Sequence, residues 1–367
     1  MRICYLANAS SIHTRKWVRY FVEKGHEIHV ISFENGWIEG TTVHKLKLPV
    51  LVKSATFPLK LISIPRMKAL IRSIKPDVLH AHYVTNYGFF GALCNYKPLV
   101  LTALGSDILS VQTESPLIGG IKKLIKTYVA KKADIVTADS RSLMKEIINL
   151  GVPVEKIKFV SHGVSLKEFN PNKKSSLFKK TLKIPPTCQV VTSTRNLEKV
   201  YDVETLIKAI PNVIKTKPNV HFLIIGEGTQ KRYLQKIADD LNLQKHVTFV
   251  GSIPNEEVAE FLANSDIYVS TSLSDSTSVS LLEAMAAQLP VVVTDIEGNR
   301  EWIKNGENGF VIPKSNPDLL AEKIDVLLGE EKTAEKFGVC NRKIVEEKAN
   351  YDKEMAKVER IYERIAV

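Results

Sequence analysis

The sequence predicts an α/β protein made of two doubly wound, Rossmann-like domains that face a cleft. Three observations carry this prediction. Short apolar runs alternate with amphipathic stretches along most of the chain, the pattern of parallel strands joined by helical crossovers. The alternation breaks once, between 169 and 187, and then restarts. The chain has 367 residues, more than one ordinary core takes in.

The elements follow in order. Residues 2–7 form the first expected strand, and 13–24 have the spacing of an amphipathic helix closed by Gly25. A strand at 27–33 is next. Further strands are expected at 78–82, 99–104, 134–138 and 157–160, with helical patterns near 66–75, 86–94, 117–132 and 140–150. These make up a first domain, 1–168. The segment 169–187 is rich in proline and lysine and is the expected linker. The second domain, 188–349, reads strand 190–194, helix 203–215, strand 220–225, helix 229–242, strand 247–250 and helix 255–263. Strands at 265–271 and 290–294 and helices at 316–329 and 333–347 complete it. A last helix at 351–366 has an apolar stripe of Tyr351, Met355, Val358, Ile361, Tyr362 and Ile365.

Composition is that of a globular protein, 44% hydrophobic and 25% charged. No uncharged apolar run is long enough to span a bilayer, and residues 1–7 read as a strand rather than a signal peptide. Cys4, Cys94, Cys188 and Cys340 are scattered, which fits reduced thiols in a cytoplasmic protein and neither a disulfide frame nor a zinc site. The net charge of +11 is uneven. Residues 1–183 hold 29 Lys+Arg against 12 Asp+Glu, and the remainder 22 against 28. A basic half facing a polyanionic surface is expected, either nucleic acid or anionic lipid. The absence of an aromatic-rich basic strand speaks against nucleic acid.

Residues 272–290 read S-L-S-D-S-T-S-V-S-L-L-E-A-M-A-A-Q-L-P, between two apolar runs. They form an expected strand–loop–helix–strand unit with polar groups at the carboxyl end of a strand, where open α/β sheets bind ligands. Thr277, Ser278 and Val279 fall at the expected first turn, whose free N–H groups and dipole favour an anion such as a diphosphate. Asp275 and Glu283 bracket that turn. If the span between them is mostly helical they lie about 12 Å apart along the axis, roughly the reach of a nucleotide sugar. The alternative is a Ser/Asp helix cap with Glu283 an ordinary helical carboxylate.

Arg195 follows the strand at 190–194, and Lys199 lies four residues on. Two cations at a strand's carboxyl end suit a diphosphate, and arginine offers a bidentate fork. A solvated loop pair is the alternative. Gly226 and Gly228 follow the next strand and let backbone approach a ligand closely. The third glycine of a dinucleotide fingerprint is missing there, and Arg232 stands in the region. Gly251 and Ile253, in V-G-S-I-P, offer backbone to a nucleobase edge or make a simple turn.

These segments resemble the family-4 glycosyltransferases of the GT-B fold. The acidic motif S-D-S-T-S-V-S-L-L-E-A-M-A-A-Q-L-P-V-V is similar to that family's pair of acids separated by seven residues. G-H-E-I-H-V-I-S (25–32), P-D-V-L-H-A-H (76–82), S-H-G-V-S-L-K-E-F (161–169), the Arg195 loop and E-W-I-K-N-G-E-N-G-F-V (301–311) follow in the family's order. The resemblance implies transfer of a sugar from a nucleotide-sugar donor, with retention at the anomeric carbon, no cofactor and no metal. It implies that Asp275 contacts donor-sugar hydroxyls, that Glu283 binds ribose, and that the Arg195 loop holds the diphosphate. It also implies that the terminal segment, 350–367, crosses back to the first domain.

The chain departs from the family at four places. Asp275 stands where glutamate is usual, and Tyr201 where a lysine is expected, which leaves Lys199 as a substitute. The first-strand loop is Asn8-Ala-Ser-Ser-Ile-His13 rather than glycine-rich, so Ser10, Ser11 or backbone amides take over. Leu104 stands where many members have a histidine, which leaves His13, His82 and Asp107 as the polar groups on the acceptor side. The acceptor is expected to be a saccharide or a lipid-linked molecule, as in cell-surface polysaccharide or glycolipid assembly. Two stretches, 44–75 and 121–132, mix aliphatic and basic residues and suit an anionic membrane face or plain helix packing. The rival readings are a sugar-nucleotide epimerase of similar fold and a non-enzymatic sugar-binding protein.

Overall fold

The computed structural model describes residues 1–46, 57–105, 108 and 116–366. The chain divides into two compact units, Met1–Ser161 with Asp352–Val367, and His162–Tyr351.

Among the described residues the first unit holds seven strands: β1 (Arg2–Leu6), β2 (Glu27–Ser32), β3 (Thr41–Lys45), β4 (Val78–His82), β5 (Leu99–Thr102), β6 (Ile135–Ala138) and β7 (Ile157–Phe159). They form one parallel sheet in the order β3-β2-β1-β4-β5-β6-β7. Five helices lie between them: α1 (Ile12–Glu23), α2 (Ile64–Ile74), α3 (Gly88–Cys94), α4 (Pro116–Lys132) and α5 (Arg141–Asn149). The central strands β4 and β5 are buried end to end and β1 from Ile3 on, as a parallel sheet covered on both faces requires. Leu6, Ile31, Leu79, Phe90, Leu101 and Val129 belong to one core cluster. α1 buries Trp17, Val18, Tyr20 and Phe21, and α2 buries Met67, Ile71 and Ile74.

The second unit holds β8 (Gln189–Ser193), β9 (Val220–Ile225), β10 (Val247–Gly251), β11 (Ile267–Ser270), β12 (Val291–Thr294) and β13 (Phe310–Ile312). Their parallel order is β10-β9-β8-β11-β12-β13. Its helices are α6 (Phe178–Thr181), α7 (Val203–Thr216), α8 (Lys231–Asp240), α9 (Asn255–Ala263), α10 (Val279–Ala286), α11 (Glu297–Arg300), α12 (Pro317–Gly329) and α13 (Glu331–Lys348). The last helix, α14 (Tyr351–Ile365), carries the chain back into the first unit, to which residues from Asp352 onward belong. Its buried Met355, Val358 and Tyr362 are part of the stripe read from the sequence. The Tyr362 hydroxyl lies 3.2 Å from that of Tyr5 in β1 and also bonds the ring of His80 in β4.

One expectation needs correcting, and two strands were missed. The segment 169–187 is not a free linker. Phe178 and Ile184 are buried with Cys188, Val190 and Leu223, and Lys179 Nζ donates to the carbonyls of Pro186 (3.0 Å) and Cys188 (2.7 Å). The units therefore part at Ser161 and His162, before residue 168. The two edge strands β3 and β13 had no counterpart in the sequence reading. The helical pattern at 86–94 is present as α3, which a wide π-helical turn, Tyr83–Tyr87, leads into. Among the described residues no helix is long and apolar enough to cross a membrane.

Candidate active site

In the second unit β8 is flanked by β9 and β11, so the connections leave it in opposite directions. This is the switch point at which open α/β sheets receive ligands, at the carboxyl ends of the strands. Arg195 follows β8, and Asp275 follows β11. The structure joins them. Arg195 Nη2 donates to Asp275 Oδ2 at 2.6 Å, with 8% of the arginine side chain and 20% of the aspartate exposed. Nη1 donates to the hydroxyls of Ser278 (2.5 Å) and Ser280 (2.9 Å). The guanidinium lies 4.1 Å from the ring centroid of Tyr201. Burial works against charge on Arg195, but Asp275, with Tyr268 and Tyr201, outweighs it and raises its pKa, so the group stays cationic. Removing one partner of such a buried pair costs about 3–5 kcal/mol, because the other charge is left uncompensated.

The Asp275 loop is not helical. α10 begins at Val279, with Ser278 as its extended N-cap, and the Ser278 hydroxyl accepts from Leu281 N at 3.2 Å. Thr277 therefore lies ahead of the cap. The axial spacing of about 12 Å between Asp275 and Glu283 does not apply, because only the second half of that span is helix. The capping alternative holds for Ser278 and fails for Asp275, whose carboxylate goes to Arg195 and to its neighbour Ser276 N (3.0 Å). Glu283 is buried within α10. A buried carboxylate on an eight-residue helix is unlike the ordinary solvated one that the alternative supposed.

Sequence reasoning missed three contributors. Ser280 accepts from Arg195 and from the hydroxyl of Tyr268 in β11 (2.8 Å). Burial raises the Tyr268 pKa, with Arg195 opposing, and keeps it a neutral donor. Gly298 in α11 is the third. A β-carbon there would lie 2.1 Å from the carbonyl oxygen of Ser276 and 2.7 Å from that of Asp275. The S-x-S spacing of Ser278 and Ser280 was a visible signal; Tyr268 and Gly298 gave none.

The glycines hold the arginine loop. At Gly226, with φ +141°, a β-carbon would meet Arg195 O at 2.5 Å, and at Gly228 it would meet Leu197 O at 2.3 Å. Gly226 N donates to Gly251 O (2.9 Å), which ties the ends of β9 and β10 together. Ile253 is half-buried against the core, and Lys199 is exposed in a short 3₁₀ turn, Lys199–Tyr201.

The first unit has its own switch point at β1, flanked by β2 and β4. Asn8 shapes the loop after β1: its Oδ1 accepts from Ser10 N (2.8 Å) and from the Ser10 hydroxyl (2.7 Å). Ser10 is exposed, Ser11 is the N-cap of α1 without a side-chain capping bond, and His13 is half-buried in the first turn. His82, at the end of β4, is buried; its ring packs against Tyr5, Trp17 and His80, and its Nδ1 lies 3.5 Å from the Thr14 hydroxyl. Asp107 lies outside the described residues.

Two Rossmann-like sheets, each with polar loops at its switch point, define a GT-B type molecule. The sequence matches known families in the same two parts. Residues 2–140 match the model described as glycosyl transferase 4-like, and residues 175–343 the model of glycosyl transferases group 1. The chain is a glycosyltransferase of this group 1 and family-4-like type. It is 26% identical over 363 residues to the N-acetyl-alpha-D-glucosaminyl L-malate synthase of Bacillus anthracis, covering 94% of this chain and 91% of that one. Sucrose-phosphate synthase from Thermosynechococcus elongatus shares the fold with a TM-score of 0.86 at 17% identity, covering 99% of this chain and 98% of its own. Anabaena Alr3699/HepE, solved in complex with UDP-glucose, shares it at 0.82 and 19%, covering 99% and 100%.

Proposed function

We propose that this chain transfers a hexose-type sugar from a nucleotide-sugar donor to a saccharide or lipid-linked acceptor, with retention at the anomeric carbon. One observation carries the reading: a buried arginine and an aspartate, joined at the switch point, stand at the start of the helix that carries buried Glu283. The names of the relatives support it, since one is a glucosaminyl malate synthase and another binds UDP-glucose. Asp275 meets hydroxyls of the donor sugar and Glu283 the ribose. Arg195, Lys199 and the amides after Ser278 face the diphosphate, on which negative charge grows as it leaves. The anomeric carbon–oxygen bond to the diphosphate breaks and a bond to the acceptor oxygen forms on the same face. The departing phosphate oxygen takes the acceptor's proton. Retention and independence of metal are carried by the resemblance. The acceptor belongs to the first unit, where Ser10, Ser11, His13 and His82 lie at or next to the strand ends.

The test is a thermal-shift screen against nucleotide sugars, since a bound donor raises stability by mass action, followed by product analysis. A glycosylated acceptor is expected. An isomerised donor would favour the epimerase, and donor binding without turnover the sugar-binding protein. Asp275→Asn and Glu283→Gln are each expected to lower transfer by roughly 100-fold or more. A near-normal rate in either folded variant removes that residue from the site.

We also propose that the first unit rests on an anionic lipid face through α4, at the cytoplasmic side of a membrane. α2, in the other basic stretch, spends its apolar face on the core as Met67, Ile71 and Ile74, and residues 47–56 of that stretch lie outside the described residues. α4 differs. It exposes Ile121 (51%), Leu124 (72%) and Tyr128 (42%) beside Lys122, Lys123, Lys131 and Lys132, and its sequence contains no acid.

A further inference from the structure

We propose that Tyr201 is a positioning residue: its ring sets the plane of the Arg195 guanidinium and, through it, the orientation of Asp275. The inference rests on the reading of Arg195 and Asp275 as part of the donor site.

The argument starts from the donors of the guanidinium. Arginine has five N–H groups in a rigid fork, and its plane is normally fixed by acceptors around that fork. Here the acceptors lie on the outer nitrogens alone, Ser278 and Ser280 on Nη1 and Asp275 on Nη2. The inner nitrogen, Nε, is buried and has no hydrogen-bond partner. The inner end of the fork can therefore tilt without losing an acceptor. What meets the flat face is the Tyr201 ring, 4.1 Å from Cζ. A ring at that distance attracts the cation by its quadrupole and holds the guanidinium against its face.

The backbone that carries the ring is itself fixed, on the same frame as the carboxylate, and the side chain packs half-buried against the core of the unit. Tyr201 N donates to Glu198 O (2.9 Å), and Tyr201 O accepts from the Thr271 hydroxyl (3.1 Å). Beside it Val200 O accepts from Leu273 N (2.8 Å). Thr271 and Leu273 belong to the segment that leaves β11 and leads to Asp275. Ring, guanidinium and carboxylate thus form a closed frame. A rotation of Arg195 in that frame would carry Asp275 Oδ2 with it or break their bond.

The contact uses the ring face, which separates this role from that of a hydroxyl or of bulk. Tyr201→Phe is expected to keep the wild-type kcat. Tyr201→Leu, which keeps an apolar side chain but is smaller and has no π face, is expected to lower kcat about tenfold, with a modest drop in the melting midpoint from lost packing. Combined with Asp275→Asn, it should add almost nothing to the loss that Asp275→Asn causes alone, because both changes act on one coupled contact. Losses that multiply in the double variant, or a wild-type kcat in Tyr201→Leu, would overturn the proposal. A measurement that needs no substrate separates its failure from that of the functional reading. In protein labelled with ¹⁵N-arginine, rotation of the Arg195 guanidinium, read from exchange between its Nη signals, should be equally slow in wild type and in Tyr201→Phe and measurably faster in Tyr201→Leu. Equal exchange rates in all three proteins would sink the role of the ring even if transfer is confirmed.

Discussion

A β-carbon at Gly298 would come within 2.1 Å of Ser276 O, so this position fixes how low the Asp275 loop lies on α11. The clash is with backbone, which has nowhere cheap to go. Gly298→Ala is expected to lift the loop, loosen the Arg195–Asp275 pair and lower both the melting midpoint and the transfer rate, the latter by roughly tenfold or more. A variant that transfers at the wild-type rate would show that the loop does not need this seat. Arg195 and Asp275 stood out in the sequence as charged side chains in the polar segments that follow apolar runs, and Glu283 by its spacing from Asp275 and by the resemblance. Gly298 and Tyr268 did not, and Ser280 showed only as the second serine of an S-x-S pair. Their roles exist only once β8, β11 and α11 lie side by side, and Arg195 reaches Asp275 across 80 positions of chain. That the arginine is met by an aspartate of its own chain was equally invisible, since two opposite charges far apart in sequence announce no pairing.

Elements were read well where they are central and poorly where they are peripheral. β4 (V-L-H-A-H) and β9 (V-H-F-L-I-I) are buried throughout and show as apolar runs despite their histidines. β3 (T-T-V-H-K) is only half-covered at the sheet edge, and β13 has three residues, so neither gives a run long enough to see. The prolines and lysines of 169–187 hid Phe178 and Ile184, which anchor that segment to the second unit. α4 shows a different limit. Its mix of aliphatic and basic residues suited either a lipid face or helix packing, and the described side chains divide: Val129 and Ala130 are buried and Ile125 half-buried against the core, while Ile121, Leu124 and Tyr128 are exposed. The exposed remainder gives the lipid proposal its test. Co-flotation with vesicles containing anionic lipid is expected at low salt and should weaken as salt screens the lysines. Lys122→Glu with Lys123→Glu should abolish it, and Leu124→Ser should weaken it at every salt concentration. Equal flotation of the charge-reversed protein, or none by the wild type, would rule α4 out as the lipid-facing element.

At the scale of the whole molecule, both sheets carry histidines whose protonation folding disfavours. His80 lies wholly inside the first unit; burial, with His82 beside it, pushes its pKa well below the usual 6.5. Its ring is held between the Tyr362 and Thr102 hydroxyls, the latter at 2.7 Å. His44, stacked on His29 in β2, is lowered by burial and then by that neighbour. In the second unit His221 is lowered by burial and by His246, against a smaller backbone contribution from Lys245. In each case the unfolded chain takes up the proton first. The stability these groups contribute is therefore complete above the unfolded value of about 6.5 and is lost as pH falls from there through the depressed folded values. His80, whose pKa falls furthest, contributes a slope of at most about 1.4 kcal/mol per pH unit within its window, and the more exposed His44 and His221 contribute less. The melting midpoint is expected to be level between pH 7 and 8 and to fall steadily between 6.5 and 5. His80→Gln should melt lower than wild type at pH 8, having lost a fitted ring, yet show a shallower fall below 6.5. A midpoint that stays level down to pH 5, or a His80→Gln slope as steep as that of wild type, would mean that His80 does not link folding to protons.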